Sequence, residues 1–426
     1  MARRPHTLSR GQSATSGRST GAWHTWFAAI LALALTVAPA AAQTSRFFPL
    51  DRFWSHELDE AIAAPPAADA THVYVALTDG RFTALRPSTG TETWSVDLAV
   101  AGPPIAAEGR LFVPDATTIH ALDAATGRHV WRLAAGPLAA PLVYRGGWLI
   151  VALADGAVQG VRASDGVVMW AVDIGAAASA APAVDGDLLV LPLTDGRLVA
   201  LDVRTGAISW ARPLGGVPSG VALSGNRVFA GAGDGTFWSL DARSGRPAWR
   251  WRVGARFIGA PAVDGSGVYT IAADNIVRGL SRSSGNQRWS HALTTRALSG
   301  PVVVDDVVIV TTGEVGRPGL TYLDARTGKP AGRSPALASA TDTTRAQHPV
   351  LIVSDAAQAI LVTATPAGDW AVHAYRQTFL VPTGTEPIPV GKRYDIRWRL
   401  PMSTGVRVIG ERITLGPQVP RVPRVP

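Results

Sequence analysis

The sequence DGRLVALDVRTGAISW, from Asp195 to Trp210, recurs in altered form about every 40 residues along most of this chain. The next copy reads DGTFWSLDARSGRPAW, from Asp234 to Trp249. In each copy a glycine precedes the tryptophan by four residues, and six such pairs follow one another: Gly90/Trp94, Gly127/Trp131, Gly166/Trp170, Gly206/Trp210, Gly245/Trp249 and Gly285/Trp289. A fixed period of this length indicates a repeat array.

Both of these copies contain two turn signals between segments of alternating apolar residues. Asp-Gly predicts a tight hairpin of type I′, in which both central residues have positive φ. The Thr-Gly or Ser-Gly pair before the tryptophan predicts a second hairpin. An apolar run such as Leu188 to Leu193 precedes Asp-Gly, and a small-residue stretch ending in proline precedes that run. One period therefore holds four short strands.

Four-stranded antiparallel sheets repeated at this interval are the blades of an all-β propeller. We expect eight blades, because eight prolines begin successive units: Pro65, Pro104, Pro141, Pro182, Pro218, Pro261, Pro301 and Pro349. The last two units are degenerate, since Gly332 replaces a tryptophan and the eighth unit stops after three strands, near Tyr375. The segment Phe53 to Leu58 matches the fourth-strand pattern, so we expect it to complete the eighth blade and close the ring without a free edge. Seven blades is the competing count.

The chain divides into three predicted segments. Residues 1–42 carry four arginines and no acid, and after the last of these arginines comes an apolar run from Trp26 to Ala38. This segment is predicted to be a secretory signal or an uncleaved N-terminal anchor. Residues 50–380 form the propeller. Residues 381–426 form a C-terminal extension, with a β-hairpin and a tail rich in proline and arginine. The predicted location is the periplasm, reached by export, with membrane tethering as the alternative.

Composition excludes several classes of function. The net charge is +8, but residues 1–42 contribute +4 and residues 392–426 contribute +6, which leaves the propeller at −2. A near-neutral ring lacks the basic surface of a nucleic-acid binder. The chain has no cysteine, so it has no disulfide, no thiol catalysis and no cysteine for a lipid anchor. The nine histidines show no metal-ligand spacing.

The repeated residues are predicted to be structural. The aspartates of the Asp-Gly pairs are expected to form turns rather than to bind calcium: Asp79, Asp155, Asp195 and Asp234. Indoles placed once per blade are expected to dock neighbouring blades, each burying on the order of 150–250 Å²: Trp54, Trp94, Trp131, Trp170, Trp210, Trp249 and Trp289.

The strings ALDAATGRHVW, from Ala121 to Trp131, and ALDVRTGAISW, from Ala200 to Trp210, resemble the repeat of the pyrroloquinoline quinone (PQQ) propeller superfamily. For its quinoprotein dehydrogenases, the resemblance implies PQQ beneath a vicinal cysteine pair, a calcium ion and a catalytic aspartate. This chain has no such cysteine pair. For its non-catalytic branch, which is BamB-like, the resemblance implies an exported eight-bladed ring without cofactor. Such a ring acts as a scaffold in outer-membrane protein assembly and is normally lipid-anchored. A fold alone does not decide between these branches.

In the BamB-like branch, the resemblance implies a partner surface that includes the loops entering the innermost strands. The loop from Gly254 to Pro261 is unusual, because Arg256 and Phe257 stand where the equivalent loop from Gly175 to Pro182 has only small residues. Arg296 lies in the next equivalent loop. These three residues are predicted to bind a protein partner, with plugging of the central channel as the alternative for Arg256 and Phe257.

The preferred function is therefore an exported, non-enzymatic scaffold that binds protein partners in the cell envelope, as a monomeric ring within a larger complex. No catalytic, cofactor or metal residues are assigned. The alternative is a PQQ-dependent dehydrogenase that oxidises alcohols or sugars, and a third class is a polysaccharide-binding or sensor module.

Overall fold

The computed structural model describes residues 50–304, 306–314, 317–332, 350–354, 358–367, 369–377, 393–402 and 405–414, with side chains described in 54–304, 306–313 and 320–332. All regular structure among these residues is β. No helix in this part of the chain is long and apolar enough to cross a membrane. The predicted signal segment, 1–42, and the Pro/Arg-rich tail lie outside the described residues.

Six complete blades follow one another in sequence, each a four-stranded antiparallel sheet in the order of the chain. Blade 1 comprises β2 (Ile62–Ala68), β3 (Val73–Leu77), β4 (Arg81–Leu85) and β5 (Glu92–Asp97). Blade 2 comprises β6 (Ile105–Ala107), β7 (Arg110–Pro114), β8 (Thr118–Asp123) and β9 (His129–Ala134). Blade 3 comprises β10 (Val143–Arg145), β11 (Trp148–Ala152), β12 (Ala157–Arg162) and β13 (Val168–Asp173). Blade 4 comprises β14 (Ala183–Asp185), β15 (Leu188–Pro192), β16 (Arg197–Asp202) and β17 (Ile208–Pro213). Blade 5 comprises β18 (Pro218–Ser224), β19 (Arg227–Ala232), β20 (Thr236–Asp241) and β21 (Pro247–Arg252). Blade 6 comprises β22 (Ala262–Val263), β23 (Val268–Ile271), β24 (Ile276–Leu280) and β25 (Gln287–Ala292).

The last two blades differ from the first six. Blade 7 has three strands, β26 (Val302–Val304), β27 (Val307–Glu314) and β28 (Arg317–Asp324). Its fourth strand is reduced to one bridge between Leu323 and Pro330, two residues before Gly332. Blade 8 comprises β29 (Val350–Ser354), β30 (Gln358–Ala367) and β31 (Asp369–Gln377), and its fourth strand is β1 (Leu50–Leu58). The pairing of β1 with β31 confirms the prediction that the N-terminal strand completes the eighth blade.

The innermost strands connect the blades into the propeller. Strand β2 contacts both β6 and β29, and the contacts continue from β6 through β10, β14, β18 and β22 to β26. Outside the propeller, β32 (Arg393–Met402) pairs antiparallel with β33 (Gly405–Thr414) in a separate two-stranded sheet.

Burial falls from the middle of each blade to its outer edge. Most residues of the second and third strands are buried on both faces, because neighbouring blades cover them. The fourth strands of blades 1 to 5 alternate between exposed and partly buried residues at their ends, as expected of an edge strand. Substitutions at the exposed positions of these strands therefore cost little core packing, whereas the partly buried positions include the repeated tryptophans.

The prediction of type I′ geometry for the Asp-Gly turns is wrong. In blade 3 the N–H of Gly156 donates to the carbonyl of Leu153 at 3.2 Å, and Oδ1 of Asp155 accepts from the N–H of Ala157 at 2.9 Å. Only the glycine has positive φ in these turns: +92° at Gly80, +95° at Gly156, +88° at Gly196 and +80° at Gly235. This is a type I turn followed by a left-handed glycine, which also satisfies the sequence pattern. In blade 6 Asn275 takes the glycine's place at φ 59°, because asparagine tolerates that region better than most residues.

The second turn explains the repeated Leu-Asp-x-x-Thr-Gly string. In blade 4, Oδ1 of Asp202 accepts hydrogen bonds from the N–H of Arg204, the N–H of Thr205 and the hydroxyl of Thr205, each at 2.9 Å. The N–H of Gly206 donates to the carbonyl of Asp202 at 2.9 Å, with φ of +72° at the glycine. The aspartate thus fixes the turn, and the glycine supplies the one backbone conformation that a side chain would strain.

Each repeated indole lies against the glycine turn of the next blade. A Cβ added to Gly206 would lie 2.6 Å from Cε3 of Trp170, so the glycine leaves the space that the ring fills. The indole N–H of Trp170 donates to the carbonyl of Val203 at 2.8 Å. The same arrangement occurs at seven positions: Trp54 on Gly90, Trp94 on Gly127, Trp131 on Gly166, Trp170 on Gly206, Trp210 on Gly245, Trp249 on Gly285 and Trp289 on Gly328. Each indole N–H donates to a carbonyl of the next blade, at Pro87, Ala124, Ala163, Val203, Ala242, Arg282 and Ala325 respectively.

We expect Gly206→Ala to destabilise the protein more than Gly109→Ala does. Both glycines have φ of +72°, but nothing lies within 4 Å of the position of an added Cβ at Gly109. Gly109→Ala therefore measures only the loss of unfolding free energy that comes from placing alanine at positive φ, about 1–2 kcal/mol. Gly206→Ala adds a clash with Trp170, about 1–3 kcal/mol more. The urea midpoint measured by circular dichroism gives the difference, and equal shifts in both variants would contradict the docking role of the indole.

We also expect Ser244→Ala to raise the pKa of Asp241. The Ser244 hydroxyl donates to Oδ1 of Asp241 at 2.7 Å, and this bond is the first cause of the lowered pKa of that carboxyl. Because the folded pKa is lowered, the carboxylate stabilises the fold above its unfolded pKa, near 3.9. That contribution is lost as the pH falls through the folded value. Carboxyl ¹³C shifts measured against pH give the pKa, and Asp123, lowered first by the Thr126 hydroxyl, serves as internal control.

Candidate interaction surface

One face of the propeller carries both the Asp-Gly turns and the connections between blades. We call it the loop face. Each connection leaves an outer strand, crosses this face and enters the innermost strand of the next blade. In blades 3 to 7, one carbonyl of the connection accepts a hydrogen bond from an N–H at or just after the end of the second strand of the blade that the connection enters. The carbonyls belong to Pro137 in blade 3, Ala177 in blade 4, Val217 in blade 5, Arg256 in blade 6 and Arg296 in blade 7.

Arg256 and Arg296 occupy the same position in consecutive blades. The N–H of Ala273 donates to the carbonyl of Arg256 at 2.8 Å, and the N–H of Gly313 donates to that of Arg296 at 2.9 Å. Both side chains are exposed. Neither forms an ion pair with a residue that the structure describes. The backbone therefore holds two exposed arginines, neither with an ion-pair partner among the described residues, at equivalent positions of neighbouring blades.

Val217 occupies the same position in blade 5, and the sequence analysis missed it. Its side chain is 48% exposed, although valine is apolar. The equivalent residues of blades 3 and 4, Pro137 and Ala177, are smaller or more constrained. An alignment of the connections in the sequence would have pointed to Val217, because it immediately precedes Pro218, which begins blade 5. Val217, Arg256 and Arg296 together form what we call the connection surface.

The expectation that Phe257 is exposed beside Arg256 is wrong. Phe257 is 4% exposed and packs in a cluster shared by blades 5 and 6. Its ring meets that of Phe237 edge-on, with 5.2 Å between the ring centroids. Space for it comes from Gly231, where an added Cβ would lie 2.5 Å from Cβ of Phe257. Phe257 is therefore part of the core between two blades, and it neither forms an exposed anchor nor plugs the channel.

The charged residues around the Asp-Gly turns are mostly compensated. Arg81 pairs with Asp79 at 2.6 Å, and Arg197 pairs with Asp195 at the same distance. Hydrogen bonds from the N–H and guanidinium of Arg81 lower the pKa of Asp79. These turn aspartates lie in different blades. Within the described residues, no group of three or more His, Asp or Glu side chains could hold a metal ion.

Comparison with known proteins assigns the family. A family model described as outer membrane protein assembly factor BamB matches residues 51–116, 78–218 and 214–376, which together cover the propeller. The chain belongs to this family. The BamB-like branch of the PQQ-type propellers, expected from the repeat string, is thereby confirmed, as is the propeller fold.

Named relatives agree with the family assignment. The chain is 23% identical to outer membrane protein assembly factor BamB of Yersinia pestis over an alignment of 318 residues, with coverage of 66% of this chain and 80% of that protein. It is 25% identical to outer membrane protein assembly factor BamB of Moranella endobia over an alignment of 162 residues, with coverage of 33% of this chain and 42% of that protein. The crystal structure of BamB from Moraxella catarrhalis has a TM-score of 0.59 and 21% identity. The similarity covers 77% of this chain and all of that one.

Quinoprotein dehydrogenases share the fold at greater sequence distance. The quinohemoprotein alcohol dehydrogenase of Comamonas testosteroni has a TM-score of 0.60 and 13% identity, over 81% of this chain and 79% of that chain. Similarity at this level of identity concerns the fold alone.

We expect Phe257→Ala to destabilise the protein by about 3–5 kcal/mol, because it leaves a cavity between two blades. Arg256→Ala, one residue earlier on the exposed side of the same connection, is expected to change the free energy of unfolding by less than about 0.5 kcal/mol. Urea denaturation of the two variants measures both values. A tolerated Phe257→Ala would show that this ring does not support the core.

Proposed function

We propose that this protein is exported and acts as a non-enzymatic scaffold of the cell envelope, binding protein partners during outer-membrane protein assembly. The observation that carries the proposal is the family match across residues 51–376. Propellers suit this role because the ring is rigid while its connections vary without disturbing the core. Location in the periplasm and a monomeric ring within a larger complex belong to the same proposal.

The connection surface is the proposed partner site. Arg256 and Arg296 are exposed and uncompensated among the described residues, and Val217 adds an exposed apolar side chain in the preceding blade. Arginine beside apolar area is a common composition of the energetically important part of an interface. A partner that offers carboxylates to the two arginines and an apolar side chain to Val217 fits this surface.

Two features of the chain support a non-enzymatic role over a PQQ-dependent dehydrogenase. The chain has no cysteine, so the vicinal cysteine pair implied by resemblance to the dehydrogenases is missing. The turn aspartates on the loop face have structural tasks, since Asp79, Asp155, Asp195 and Asp234 each accept a hydrogen bond from the N–H two residues later. Dye-linked oxidation of an alcohol or sugar by protein reconstituted with PQQ and calcium would overturn this choice.

A photo-crosslinking residue placed at position 256 or 296 is expected to trap an envelope protein in living cells. The matched control is position 128, because Arg128 is also exposed but lies in a turn on the opposite face of blade 2. Trapped partners are identified by mass spectrometry. A partner trapped from 256 and 296 but not from 128 supports the proposal, whereas no trapped protein, or equal trapping from all three, contradicts it.

A further inference from the structure

Charge is unevenly distributed around the propeller, although its sum is small. Residues 59–135, which span blades 1 and 2, contain nine acidic residues and five arginines, a formal charge of −4. Residues 214–292, which span blades 5 and 6, contain nine arginines and four aspartates, a formal charge of +5. The near-neutral total therefore conceals a basic sector opposite in sign to the first two blades.

Some arginines elsewhere in the propeller have a carboxylate partner close in sequence. Arg162 pairs with Asp165 at 2.7 Å, and Arg197 with Asp195 at 2.6 Å. Arg278 pairs with Asp274 across one turn of the same hairpin. Burial alone would raise the pKa of Asp274, but hydrogen bonds from Arg278 and from the N–H of Ile276 hold it below its ordinary value. Pairing within the hairpin is thus a recurring arrangement in this protein.

The outer rim between blades 4 and 5 departs from that arrangement. Arg212 of β17 and Arg250 of β21 both lie over the indole of Trp238 on β20, each with its guanidinium carbon 5.9 Å from the ring centroid. Trp238 and Arg250 are cross-strand partners, and the indole N–H donates to the carbonyl of Leu214 at 3.2 Å. Arg252 follows Arg250 two residues later, on the same side of β21. We call Arg212, Trp238, Arg250 and Arg252 the blade 4/5 groove.

The three guanidinium groups of the groove lack a carboxylate among the described residues. Arg250 and Arg252 are exposed, and Arg252 donates only to the backbone carbonyl of Asp234, at 3.5 Å. Nε of Arg212 is buried and has no hydrogen-bond partner in the part of the chain that the structure describes. The indole face stabilises a cation electrostatically but accepts none of the in-plane N–H donors. The groove therefore holds oriented, unsatisfied donors and concentrated positive charge.

The spacing of these donors indicates what they bind. Side chains two residues apart on a strand are about 7 Å apart, so Arg250 and Arg252 repeat at the interval of alternate residues in an extended peptide. Arginine pairs with carboxylates through two parallel hydrogen bonds, which favours a ligand with discrete carboxylates. We propose that the blade 4/5 groove binds an extended acidic segment of a partner protein. This site is separate from the connection surface and extends the proposed scaffold function by naming the chemistry of a second contact.

Binding of a fluorescein-labelled decaglutamate peptide, measured by fluorescence anisotropy at low salt, tests this proposal on the whole protein. Arg250→Gln is expected to weaken binding about three- to fivefold, the effect of losing one partly exposed ion pair. The matched control is Arg243→Gln, which removes the same charge from an exposed arginine at the opposite end of blade 5. It is expected to leave binding within about 1.5-fold, because a charge outside the groove contributes only screened, long-range attraction.

Three outcomes would overturn the proposal. Equal weakening by Arg250→Gln and Arg243→Gln would assign binding to the diffuse charge of the sector rather than to the groove. No binding of the peptide to the wild type would exclude an acidic polypeptide as the ligand. Binding of phosphatidylglycerol vesicles that depends on Arg250, without peptide binding, would assign the groove to a lipid surface. None of these results depends on photo-crosslinking at positions 256 and 296, so the scaffold proposal stands or fails separately.

Discussion

The packing of one indole on the glycine turn of the next blade is the constraint on which the rest of this structure depends. It sets the distance between blades, because the ring occupies the space that a Cβ would need. It also satisfies the indole N–H with a carbonyl of the neighbour, so the apolar contact carries no unpaired polar group. Seven such contacts join the eight blades, and Gly332 stands where the eighth tryptophan would be. The junction after blade 7 is thus built differently from the other seven.

Much of the fold was predictable because the same sequence pattern occurs in several successive units. The interval between Gly/Trp pairs predicted the length of a blade, and the prolines predicted the number of blades. The fourth-strand pattern of Phe53 to Leu58 predicted the strand that closes the propeller. The turn type was not predictable, because Asp-Gly fits both a type I′ turn and a type I turn followed by a left-handed glycine. A dipeptide does not distinguish them, whereas the aspartate's bond to the N–H two residues later favours the second.

The candidate sites were less predictable, since burial depends on residues distant in sequence. Phe257 is buried because Gly231, in another blade, leaves room for its ring. Val217 is exposed although its residue type suggests core. The blade 4/5 groove combines one strand of blade 4 with two strands of blade 5, so no linear motif contains it. In a repeat protein, departures from the repeat indicate where to look, but only the packing of neighbouring units shows which departures face solvent.

Closure of the propeller by β1 has a consequence for how the molecule is made. Trp54 pairs with Ala374, so the seam joins segments about 320 residues apart in sequence. Synthesis from the N-terminus must deliver nearly the whole propeller before this seam can form, and until then β1 has no partner strand. An incomplete chain therefore exposes an unpaired strand that is prone to intermolecular pairing. Any mechanical pull on the polypeptide ahead of residue 50 would also act first on this seam, which makes blade 8 the natural point of opening.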